Sequence, residues 1–171
     1  MTFIEAVVNV DSLKHTGKTK KPKIEELGEL FDTKVLEELS LNPNTANSSP
    51  QTIKELKQMV GMIQKLTDEQ KKRYLNTDED TSYYIKEYMS NNDLAYTDDD
   101  IEKITDSARH IGRQFKNKYM RPRPYVLAEK LGMEMDYFNT ETAQSPSYPS
   151  NHALQARVVA NYYSSIYPQH K

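Results

Sequence analysis

Lys116 and Arg123 stand seven residues apart, and the run Pro149-Ser150-Asn151-His152 follows about two dozen residues later. These side-chain types suit an oxyanion. A lysine ammonium is a compact point charge, and an arginine guanidinium is a planar fork that grips two oxygens of one phosphate. Ser150 stands where a helix begins and can donate its hydroxyl. First-turn N–H groups, such as that of Asn151, point outward unpaired and favour negative charge. An imidazole titrates near neutrality, so His152 can give or take a proton in such a place.

Each half also has a plain structural explanation. Cations belong at helix C-termini, serine is a favoured N-cap, and a first-turn histidine is ordinary surface. Charge distribution favours an anion site in the C-terminal half. No acid occurs from Ser107 to Ala128 or from Thr142 to Lys171, although the chain of 171 residues has a net charge of -2. That net charge excludes general polyanion binding, so nucleic acid is not an expected partner. With no cysteine, thiol catalysis, disulfides and cysteine-bound zinc are excluded. The four histidines (His15, His110, His152, His170) show no i, i+4 pairing, and no metal is expected. Neither a Walker loop nor a G-x-G-x-x-G turn is present.

The two segments in tandem, K-x6-R-P and then P-S-x-H, resemble the type-2 phosphatidic-acid phosphatase superfamily, which includes bacterial non-specific acid phosphatases and vanadium haloperoxidases. "SPSYPS" before the histidine and "ALQARVVANYY" after it look like its soluble members, and the resemblance covers roughly residues 97–171. It implies an all-helical bundle and hydrolysis of phosphate monoesters through a phosphohistidine. Lys116, Arg123, Ser150 and the Asn151 N–H would bind the phosphate, and His152 would be the general acid. No cofactor is implied, though vanadate can take the place of phosphate. The implied partner is a phosphorylated small molecule or a lipid phosphate, and a homo-oligomer is left open. Two departures stand out. Asn151 replaces the family's glycine, and the third motif, S-R-x5-H-x3-D, which carries the nucleophilic histidine, does not occur in the 171 residues. The expectation is a bundle incomplete at its C-terminus. The alternative is a non-catalytic helical binding or assembly module with "RQFKNKYMRPRPY" as a basic patch.

The elements that must position these residues read as helices throughout, so the expected fold class is all-α. Thr52 with Glu55, and Thr67 with Gln70, have capping-box spacing. "TSYYIKEYMSNN" reads as a short helix. Thr97 before three aspartates starts a long helix, on which Ile101, Ile104, Ala108, Ile111 and Phe115 form one apolar stripe. Lys116 projects about 110° from that stripe and His110 about 130°, at 100° per residue. This makes Lys116 a core-edge residue and turns His110 away. Pro122 ends the helix, Pro124 to Gly132 forms a short one, 133–149 reads as loop, and a last helix runs from Ser150 to Pro168. Residues 1–50 read as an arm and linker, with short helices within 24–39 and a possible strand at "AVVNV"; 51–96 are short helices, and 97–171 carry the motifs. Mean hydropathy is -0.85, and neither a signal peptide nor a membrane span is seen. The expected location is cytoplasmic, or virion-associated for a phage protein.

Overall fold

The computed structural model describes residues 10–17, 19–22, 41–42 and 44–170. The helices expected within 24–39, and most of "AVVNV", lie outside these residues; Val10, at the end of that stretch, is helical. From Pro50 onward the described residues contain six α-helices, and no described residue is in a strand, so the fold class is all-α. The helices are α1 (Pro50–Ile63), α2 (Asp68–Glu79), α3 (Tyr83–Asn91), α4 (Asp98–Tyr119), α5 (Pro124–Lys130) and α6 (Asn151–Ile166). None is long and apolar enough to cross a membrane.

Helix starts follow the capping chemistry, with one correction. Thr67 and Gln70 form the expected reciprocal box, Thr67 N–H to Gln70 Oε1 at 3.0 Å and Gln70 N–H to Thr67 Oγ1 at 3.2 Å. Thr97 caps α4 by accepting from the Asp100 N–H at 3.1 Å. At α1, however, the cap is Ser49 rather than Thr52. Ser49 Oγ accepts from the Thr52 N–H, and Pro50 takes the first helical position, where its missing N–H costs nothing. Thr52 is instead buried, and its hydroxyl donates to the Ala46 carbonyl at 2.9 Å.

The chain divides into two units, each assembled from separated segments. Unit one comprises 1–19, 41–71 and 116–148. Its core is Val10, Leu56 and Leu127, flanked by Leu13, Leu131, Met133 and Met135. The stretch 40–51, which reads as linker, contributes to this unit through buried Asn47, whose amide donates to the carbonyls of Val10 and Leu13 at 2.9 and 3.3 Å. Unit two comprises 20–40, 72–115 and 149–171. Met89, Ile101, Ile104, Val159 and Tyr163 form its core. The Gln155 amide also donates to the Thr105 carbonyl at 3.0 Å, both residues being buried.

All five stripe residues of α4 are buried. So are Thr105, Ser107, His110 and Lys116, which carry no apolar signal. Together these positions span an arc of about 240° at 100° per residue. His110 therefore lies inside the protein, its Nε2 3.3 Å from Asp106 Oδ2, although its projection away from the stripe suggests an outer position.

At Gly112 the backbone of α4 meets side chains from the first turn of α6. A β-carbon built there would overlap the Asn151 side-chain amide and meet Leu154 Cδ2 at 3.5 Å. Asn151 fills this space, its Nδ2 reaching toward the Arg109 carbonyl at 3.4 Å and its Oδ1 buried. Gly112→Ala should destabilise the protein by about 1–3 kcal/mol, the cost of overpacking. On an Asn151→Gly background the same change should cost nothing or stabilise by up to about 1 kcal/mol through helix propensity. Urea denaturation of the four proteins checks this; an equal cost in both backgrounds would refute the coupling.

Candidate functional site

Unit one holds Lys116 and Arg123 together. Lys116 lies in the last turn of α4 and is only 4% exposed. The helix ends three residues later because Met120 turns left-handed, with φ 49°. Arg123 is the N-cap of α5, extended at φ -71° and ψ 152°. Its flanking prolines favour that backbone, since the residue before a proline is pushed out of the helical region.

Both side chains point at one loop, residues 142–146. Lys116 Nζ donates to the Pro146 carbonyl. Arg123 donates through Nε to the Ser145 carbonyl, and through Nη2 to the Thr142 carbonyl and to Ser145 Oγ, the last at 3.0 Å. The loop is tied back at its far side, with the Ser147 N–H on the Arg121 carbonyl at 2.9 Å and Ser147 Oγ on the Pro122 carbonyl at 2.8 Å. No carboxylate pairs with Lys116 among the described residues. Burial, and then the positive charge of Arg123, push its pKa down to about 8.

A third residue joins this pair that sequence spacing does not reveal. The His15 N–H donates to the Met120 carbonyl at 2.8 Å, which pins the histidine to the end of α4. Its pKa is lowered by burial, then by Arg123 and Lys116, with a partly offsetting hydrogen bond to the Gln144 backbone. The signal that could have found it is faint: a histidine among lysines, two residues before a glycine.

The other expected residues belong to unit two. Ser150 caps α6, its Oγ accepting from the Ala153 N–H at 3.3 Å. That leaves the hydroxyl proton for another acceptor. Asn151 turns its side chain onto α4. His152 directs Nε2 to the C-terminal end of α2, 3.3 Å from the Asp78 carbonyl and 3.7 Å from Asp78 Oδ1. Asp78 is thus a missed neighbour, and no local pattern links it to His152. Nε2 is engaged there. Among the described residues no group of three or more histidine or acidic side chains is placed to hold a metal ion. Comparison with protein-family models, with curated proteins and with solved structures finds no match to this chain.

Two adjoining cations, one of them buried, carry a free-energy cost. Lys116 is depressed from an ordinary 10.5 to about 8. Between these values the unfolded chain binds the proton and the folded chain does not, so stability must rise with pH. Relative to Lys116→Met, the wild type should gain stability on the order of 3 kcal/mol between pH 8 and 10.5, by denaturant titration. A constant difference would place Lys116 in water.

Proposed function

We propose that the protein binds the phosphoryl group of a phosphate monoester or a lipid phosphate, as an acid-phosphatase-like protein of the superfamily that its two motifs resemble. The observation that carries this reading is Lys116, buried beside Arg123 with no carboxylate partner among the described residues. An ammonium placed so is costly in the free protein and becomes favourable when a dianion arrives. Arg123 adds directional donors to the same place.

The remaining roles rest on the motif. Ser150 donates its hydroxyl to a phosphate oxygen, and the Asn151 N–H, at the first position of α6, donates a second bond. His152 is the general acid that protonates the leaving alkoxide. The side chain of Asn151 is directed to Gly112, which supports a phosphate role for its backbone despite the absent glycine. Because S-R-x5-H-x3-D does not occur in the 171 residues, this chain binds phosphate and vanadate but turns over little substrate.

A second reading, a helical binding module with a basic patch, is favoured by one observation: the Lys116 and Arg123 donors already rest on carbonyls of the 142–146 loop. The two readings differ in salt response. A patch for a polyanion loses affinity steeply with ionic strength, whereas a phosphoryl site responds to competing orthophosphate.

Calorimetry should show orthophosphate binding that weakens above pH 8, where Lys116 loses its proton although phosphate is fully dianionic. Lys116→Ala and Arg123→Ala should each weaken it by about tenfold or more, a loss of about 1.4 kcal/mol. Binding unchanged in either variant would overturn the site. Hydrolysis of p-nitrophenyl phosphate should stay near background; rapid hydrolysis abolished by His152→Ala would show that the chain holds its own nucleophile.

A further inference from the structure

His15 Nε2 is buried and meets no acceptor in good hydrogen-bonding geometry, although the Gln144 backbone acts on the ring and favours its protonated form. A buried polar atom left unsatisfied costs about 1–3 kcal/mol, and such atoms in native proteins call for a reason. The ring is held in this state by its surroundings. The backbone is fixed on Met120, at the point where α4 turns toward Arg123. Gly17 covers the nitrogen: a β-carbon at position 17 would stand 2.6 Å from Nε2 and 3.2 Å from the Gln144 carbonyl. Only a residue without a side chain leaves the imidazole where it is.

The charged groups acting on the ring among the described residues are Arg123 and Lys116, and both are positive. Lys14, next to His15 in the chain, is exposed. A third positive charge beside these two is opposed in the free protein. An oxyanion bound between them reverses that balance, because it supplies both a well-placed acceptor and the counter-charge.

We propose that His15 is the third, proton-dependent ligand of this site, its imidazole taking up a proton as a tetrahedral oxyanion binds beside Lys116 and Arg123. The proposal rests on the reading of those two residues as phosphoryl ligands. It adds a donor that neither motif contains, and it couples affinity to acidity. Linkage is reciprocal: an anion that favours the protonated ring is itself bound more tightly where the ring is protonated.

Sulfate is the suitable probe, being a tetrahedral dianion that does not titrate between pH 5 and 7. On the full chain, calorimetry at pH 6 in buffers of different ionisation enthalpy should show proton uptake on sulfate binding. Affinity should rise by up to about tenfold per pH unit as pH falls through the His15 transition. In His15→Gln both effects should vanish, leaving affinity flat across that range. Gly17→Ala, which displaces the ring but keeps the histidine, should reduce them. A measurement on the wild type alone also decides the matter. By NMR, the His15 titration midpoint should move up in sulfate relative to chloride. Sulfate binding with an unmoved His15 midpoint would overturn the role of His15 and leave the Lys116–Arg123 site standing. No sulfate binding at all would overturn both.

Discussion

An ammonium group withdrawn from water must find its lost hydration elsewhere. At Lys116 the replacement is a peptide carbonyl of the 142–146 loop and a neighbouring guanidinium, one a weak substitute and the other a repulsive one. Much of unit one is arranged around this. The left-handed Met120 ends α4 just past the lysine. The two prolines hold Arg123 extended, and the loop is drawn onto both cations by hydrogen bonds at each end. A core built for stability alone would place a methionine at position 116.

Local signals were legible where they are local in physics. The Thr67–Gln70 box and the Thr97 cap are contacts within one helical turn, so spacing alone identifies them. The α4 stripe was legible because apolar burial repeats with the helix. Its polar flank was not: Thr105, Ser107 and His110 are buried by what packs around them, and hydropathy carries no record of that. The Ser49 cap was hidden because two candidate hydroxyls lie three residues apart, and only the position of Pro50 decides between them. The candidate site divides in the same way. Lys116 and Arg123 share a short segment and were found together, while His15 and Asp78 reach their neighbours only through the tertiary fold.

Asn151 shows how a departure from a motif can be absorbed. At a position where the motif has glycine, the added side chain turns onto α4, and the missing side chain of Gly112 leaves room for it. The glycine has in effect moved to the facing helix. Ser150 still caps the start of α6, its Oγ accepting from the Ala153 N–H.

The segmentation of the two units also fixes an order of events during synthesis. Residue 148 completes the segments of unit one, whereas unit two needs 149–171, which carry α6 and therefore Val159 and Tyr163 of its core. On a ribosome adding residues from the N-terminus, unit one can close while α3 and most of α4 still lack the helix that covers them. For that interval Met89, Ile101 and Ile104 have no α6 to pack against. The nascent chain thus passes through a stage in which these three residues lack two of their core partners, and α6 supplies both when it emerges.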